Sequence, residues 1–191
     1  YAKGYFYPKK GIGQMFDIMS EEISKMGGRI ILNATVSGIQ ISKNGVESIC
    51  YTQYGAAKTI DCDAVISTIP LPDLIKVFPG YQVQDVIHHT ASLKFRSVRF
   101  LNILVDLPDI SDNTWMYVSE GKYITTRIQE PKRRSPFSAP EGKTSVMLEI
   151  PCNENDEIWN CSGESLLKRC LADLKELGID IQAKVIDYFT T

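Results

Sequence analysis

The chain has 191 residues, of which 43% are hydrophobic and 23% charged, with a net charge of -2. This length and composition supply a real core for one domain or two small ones and exclude a disordered chain. The near-neutral charge gives no footprint for nucleic acid, and no apolar run approaches the roughly 20 residues that span a bilayer.

The five cysteines, Cys50, Cys62, Cys152, Cys161 and Cys170, form no CxxC pair and are odd in number. That pattern argues against a disulfide framework or a zinc site and for reduced thiols in a cytoplasmic protein. Tyr1-Ala2-Lys3-Gly4-Tyr5 lacks the apolar region of a signal peptide. The chain has no initiator Met and both of its ends read as strand. It is therefore expected to be a central piece of a longer protein.

In chain order, residues 5–8 read as an extended entry, followed by a turn at Lys9-Lys10-Gly11. Met15, Phe16, Met19, Ile23 and Met26 recur at helical spacing, and Gly27-Gly28 supplies the stop. A short apolar strand is predicted over residues 29–32. Residues 35–42 alternate, with Gly38 placed as a bulge, and Asn44-Gly45 signals a hairpin into 46–51. After a turn at Gly55, residues 58–60 rejoin the meander. Ala64, Val65, Ile66 and Ile69 then make a nearly continuous apolar run ended by Pro70, as in a strand covered on both faces.

A short helix is predicted over 71–78, broken by Pro79-Gly80, and a second over 83–93. Strands follow over 97–106, 114–119, 122–129 and 144–150. Residues 130–143, with Lys132-Arg133-Arg134, are expected to form a mobile, solvated loop. Ser162 is a good N-cap for a helix over 163–177, whose Leu166, Leu167, Cys170, Leu171 and Leu174 share one side. Residues 183–189 read as a last strand. The fold class is thus α+β (mixed α/β). Residues 1–78, with 183–191 as a candidate return strand, form one part, and an antiparallel sheet with flanking helices over 79–182 forms the other.

No Ser-His-Asp set, nucleophile elbow or metal-ligand cluster assembles from the sequence, so catalytic side chains stay unassigned and no metal is expected. His88 and His89 are adjacent and do not readily share a metal on a helix. Gly11-Ile12-Gly13 falls short of a dinucleotide fingerprint, because Phe16 stands where the third glycine belongs. Arg96, Arg99 and Arg127 lie on predicted strands, where a guanidinium needs solvent or an anionic partner. They read either as an exposed sheet face or as a grip for a carboxylate or phosphate. Arg96 and Arg127 are the candidate substrate-binding residues.

Taken in order, Phe6-Tyr7-Pro8-Lys9-Lys10-Gly11-Ile12-Gly13, Asn33-Ala34-Thr35-Val36 and Asp63-Ala64-Val65-Ile66-Ser67-Thr68-Ile69-Pro70 form a set. That set resembles the middle section of the amine oxidase, protoporphyrinogen oxidase and UDP-galactopyranose mutase superfamily of flavoproteins. Phe95-Arg96-Ser97 and Glu149-Ile150 fit the same picture. The resemblance implies a partial FAD-binding lobe with a β-meander and an antiparallel substrate lobe. It places the backbone of Val36 at the adenine end of FAD and Thr68, Ile69 and Pro70 near the flavin. It implies a parent enzyme that oxidises a small organic substrate by hydride transfer to FAD. Isolated, the piece is expected to be inactive and to bind FAD weakly or not at all, lacking the phosphate cradle. The alternatives are a mutase-like flavoenzyme without net redox change and a non-enzymatic binding or scaffolding domain. Substrate, electron acceptor and oligomeric state are not readable from the sequence.

Overall fold

Every second residue of Thr144–Cys152 (β7) is buried, namely Thr144, Val146, Leu148, Ile150 and Cys152. Such alternation marks a strand with one face on a core. The computed structural model, which describes residues 6–78 and 84–191, places β7 at the middle of an antiparallel sheet. Its other strands are Ser97–Val105 (β4), Trp115–Tyr117 (β5), Arg127–Gln129 (β6) and Val185–Thr190 (β8), in the order β5-β6-β7-β4-β8. Helix Gly163–Glu176 (α5) contributes Leu166, Cys170 and Leu174 to a core shared with Leu101, Ile103, Val105, Ile128, Val146, Leu148 and Ile150. The four-residue steps bring the helical residues to one stripe. Each Leu or Ile fully removed from water there contributes about 1.5–3 kcal/mol.

The ends of α5 are closed as the sequence expects. Ser162 Oγ accepts the Ser165 N–H at 3.1 Å. At the other end Ile179 N–H reaches the Leu174 carbonyl at 2.8 Å and Gly178 N–H the Lys175 carbonyl at 3.1 Å. This pair of bonds needs a left-handed residue, and Gly178 supplies it at φ +84°.

The chain divides into two compact units. One comprises residues up to Glu22 together with Phe95–Thr191, and the other Ile23–Lys94. This differs from the boundary read near residue 78. The N-terminal turn belongs with the larger sheet because Ser135 Oγ donates to the Lys9 carbonyl at 2.7 Å and Lys9 Nζ lies 4.0 Å over the Phe137 ring. The last strand also departs from its expected return to the first part. β8 pairs with β4, from Leu101 opposite Thr190 to Val105 opposite Val185.

In the second unit, Ala34–Ser42 (β1), Gly45–Gln53 (β2) and Ala56–Asp61 (β3) form an antiparallel meander. The expected bulge is present as a register shift between Val36 and Gly38. Tyr54 and Gly55 join β2 to β3 with positive φ at both positions, as a tight hairpin turn demands. Short helices Leu71–Lys76 (α2) and Gln84–Ala91 (α3) follow. The break read at Pro79-Gly80 lies outside the described residues, as does the start of the extended entry at Tyr5.

The helix read from the apolar spacing is present, but two apolar strands are not. Helix Gly13–Lys25 (α1) forms, but none of its residues is buried, and Met15, Phe16, Met19, Ile23 and Met26 are all exposed. The residues read as strands over 29–32 and 64–69 lie in no sheet. Ile66 is 94% exposed, and residues 63–69 make no hydrogen bond to other described residues. Apolar pattern makes a strand only where a neighbouring strand takes its backbone bonds. Among the described residues none does. No helix of the described residues is long and apolar enough to cross a membrane.

Candidate functional site

Within the 23–94 unit, β1 is an edge strand. Among the described residues its outer side carries one bond, from Ile39 N–H to the carbonyl of Val77 just past α2, at 2.9 Å. The residue opposite Val36 is Tyr51, which itself registers with Lys58 of β3. Alternation along the strands therefore turns the backbone of Val36 to the same open edge as Ile39. Thr68 and Ile69 close the irregular stretch 63–69, which makes no hydrogen bond to other described residues, and Pro70 leads from it into α2. Pro70 sits at the helix N-cap with φ -53° and ψ 139°, and its carbonyl accepts the Asp73 and Leu74 N–H groups, each at 3.0 Å. Proline fixes φ and has no N–H to lose at that boundary. The fold thus connects Val36 to Thr68, Ile69 and Pro70 through one six-residue helix and one backbone bond.

The residues expected beside a flavin dinucleotide offer the backbone donors and acceptors of an open strand edge and, before α2, the small hydroxyls of Ser67 and Thr68 in a stretch free of sheet bonds. Gly11 takes φ +89° in a turn closed by its own N–H to the Pro8 carbonyl at 3.0 Å, which is a backbone reason for glycine at that position.

The larger unit has a second assembly on the sheet face opposite its core. Cross-strand register places Tyr117, Arg127, Glu149 and Phe100 in one row, and Trp115, Gln129, Met147 and Asn102 in the next. Opposed residues of an antiparallel pair share a face. Arg134 Nη2 donates to Gln129 Oε1, Gln129 Nε2 donates to Glu149 Oε1 at 2.5 Å, and Arg127 Nη2 donates to the same carboxylate oxygen. The guanidinium carbon of Arg127 lies 5.8 Å from the Tyr117 ring centre, and that of Arg134 lies 5.7 Å from the Trp115 ring centre. The bond to Glu149 first, and then contact with Tyr117, hold the Arg127 guanidinium above its ordinary range, so it stays charged.

The two candidate substrate arginines are not brought together. Arg127 is paired with Glu149 on β7. Arg96 precedes β4 and donates to Asn153 Oδ1 at 3.1 Å. It stands four residues from Phe100, the residue opposite Glu149, or about 13 Å along the strand. Arg99 is structural. Its Nη1 donates to the carbonyls of Ile158 (2.6 Å) and Cys161 (2.8 Å), satisfying the end of helix Glu157–Asn160 (α4).

The stretch read as a mobile loop is ordered by its own cations. It contains short 3₁₀ turns at Pro131–Arg133 and Pro136–Ser138. Lys132 Nζ donates to the carbonyls of Pro108 (3.1 Å) and Lys143 (2.7 Å). Arg133 lies within 3.6 Å of Asp109, Asp112 and Glu130 carboxylate oxygens. Sequence reasoning did not single out Trp115, Tyr117, Gln129, Arg134 or Glu149 as one cluster. The only available signal was the alternation of β5 and β6, because register is what makes them neighbours.

An α+β chain with an open-edged meander and an antiparallel sheet carrying a polar-aromatic face matches the architecture of flavin-dependent enzymes. The model of the flavin-containing amine oxidoreductase family matches residues 1–189, and the chain belongs to that family. No curated protein matches the sequence. Among solved structures, reduced UDP-galactopyranose mutase aligns with a TM-score of 0.79 at 16% identity, over 97% of this chain and 40% of that one. An oxidoreductase from Methanosarcina mazei aligns with a TM-score of 0.74 at 20% identity, over 96% of this chain and 42% of that one. Putrescine oxidase bound to putrescine aligns with a TM-score of 0.65 at 12% identity, over 94% of this chain and 38% of that one. The chain therefore spans about two-fifths of the length of these structures.

Proposed function

We propose that the chain is the central part of an FAD-dependent oxidoreductase, cytoplasmic and soluble, that oxidises a small organic substrate of the amine or porphyrinogen type. The observation that carries this reading is the open edge of β1 at Val36, joined through α2 and its N-cap Pro70 to the unbonded stretch that ends at Thr68 and Ile69. It is supported by membership of the family. Bound flavin supplies the hydride acceptor. The chain's own residues bind and orient. The Val36 backbone offers hydrogen bonds to the adenine end, and Thr68, Ile69 and Pro70 form a rigid wall beside the ring system. In this reading the 23–94 unit is part of the cofactor lobe and the larger unit, which holds Phe95–Thr191, is the substrate lobe, where Arg127 and Arg96 contact substrate at separate points.

A mutase reading, without net redox change, draws on the likeness to UDP-galactopyranose mutase. One experiment separates them. The full-length protein is purified in the presence of FAD, its flavin absorbance is recorded, and candidate substrates are added without oxygen. Bleaching of the flavin by substrate supports the oxidoreductase. A yellow protein that turns over a nucleotide sugar only when pre-reduced supports the mutase, and a colourless one overturns both.

A further inference from the structure

We infer that the face of the larger sheet opposite its core, where the open rings of Trp115 and Tyr117 lie beside Arg134 and the covered Gln129 and Glu149, binds a planar conjugated anion such as an aromatic carboxylate. The inference rests on the reading of this unit as a substrate lobe but goes beyond it in choosing the charge of the ligand. Two guanidiniums and one carboxylate share the face, so its net charge is positive. The carboxylate is the covered member. The Glu149 side chain is 17% exposed, and its Oε1 takes donors from both Arg127 and Gln129.

Arg127 is matched by that carboxylate, but Arg134 has no ion-pair partner among the described residues, and of its five N–H donors only those on Nη2 have an acceptor there. A guanidinium with free donors in a planar fork matches a carboxylate in two-point fashion.

Arg134 is also held in place. Gln129 fixes one of its ends, and the Trp115 ring lies beneath it. The rings next to it are open, with Trp115 43% and Tyr117 69% exposed. Unburied aromatic surface beside a fixed cation suits a ligand that is flat and negatively charged at one edge. A protonated amine would meet two guanidiniums first and would have to reach a covered carboxylate.

The test is a titration of the ¹⁵N-labelled protein with 2-naphthoate and, separately, with the cationic isostere 2-naphthylmethylammonium. The side-chain N–H signals of Trp115 and Trp159 are followed. Trp159 lies on α4 and serves as the internal reference, and Trp115→Phe assigns the signals. The expected result is a saturable shift of the Trp115 signal with 2-naphthoate in the millimolar range, with Trp159 unmoved and the ammonium probe at least about tenfold weaker. Arg134→Gln is expected to weaken 2-naphthoate by about tenfold or more, and Arg134→Lys to restore part of the loss. Equal or tighter binding of the ammonium probe overturns the inference, as does 2-naphthoate affinity unchanged in Arg134→Gln. The comparison of the two probes on the unmodified protein decides even if Arg134→Gln does not fold. No flavin enters the titration, so an anion-binding protein without flavin sinks only the flavoprotein reading. A flavoprotein preferring the ammonium probe sinks only this one.

Discussion

Thr144 Oγ1 donates to Glu130 Oε1 at 2.7 Å, deep in the larger unit, where Glu130 is only 2% exposed. The same carboxylate accepts the backbone N–H groups of Ile110 (3.2 Å) and Ser111 (3.3 Å). One side chain thus ties the end of β6, the start of β7 and the connection after β4. A buried carboxylate persists only with such partners. Thr144→Val keeps the volume but removes one donor, and it is expected to cost about 1–3 kcal/mol. Glu130→Ala is expected to cost more than that, because it orphans three donors at once. Urea denaturation of the two variants checks the order.

The two kinds of apolar residue predict opposite outcomes. Leu148 is fully buried on β7, whereas Ile66 is 94% exposed in the unbonded segment. Leu148→Ala is expected to destabilise the chain by about 2–5 kcal/mol. Ile66→Ala should stay within about 0.5 kcal/mol. A large loss at Ile66, measured by thermal unfolding, would place that segment in a core that the structure does not contain.

Burial pushes the Cys170 thiol up to about 12 from an ordinary 9.0, with the Thr125 hydroxyl opposing slightly. Its folded value is raised. The stability linked to it is therefore complete below pH 9 and is lost as pH rises from 9.0 towards about 12. Cys152 and Cys170 are buried, while Cys50, Cys62 and Cys161 are partly accessible. A thiol reagent at mildly alkaline pH is expected to titrate the accessible three in the native protein and all five in denaturant.

The Val36 proposal concerns backbone, so side-chain and backbone changes should separate. Val36→Ala is expected to leave flavin content of the full-length protein almost unchanged. Val36→Pro removes the N–H on an edge strand, where proline is otherwise tolerated, and is expected to lower flavin content about tenfold. Flavin absorbance per protein, with circular dichroism as the folding control, provides the measurement.

Local signals in the sequence located most elements. Ser162 and Gly178 delimited α5, the alternation of Val98 to Val105 marked β4, and Gly38 marked the bulge. Local chemistry decides each of these. The misreadings share one cause, which is dependence on a partner. Ala64, Val65 and Ile66 carry the pattern of a covered strand, yet pattern states only what could be covered. Met15 and Phe16 on α1 make the same point. The Arg134–Gln129–Glu149–Arg127 chain was invisible because its four members come from three stretches that only sheet register aligns. Lys132-Arg133-Arg134 read as solvated because charge alone says nothing of the carbonyls and carboxylates waiting nearby.

The bond from Ser135 to Lys9 joins residues 126 positions apart. Between its ends lies the whole 23–94 unit, an insertion within the larger one. Closing a flexible stretch of those 72 residues costs on the order of 4 kcal/mol in chain entropy. If the inserted unit folds first, its compact body stands in for most of that stretch and the gap to be closed shrinks. The order of assembly then follows from connectivity. The β1-β2-β3 meander, built from neighbouring segments, is expected to gain amide-exchange protection early in refolding, before the Pro8-Lys9 turn docks onto Ser135.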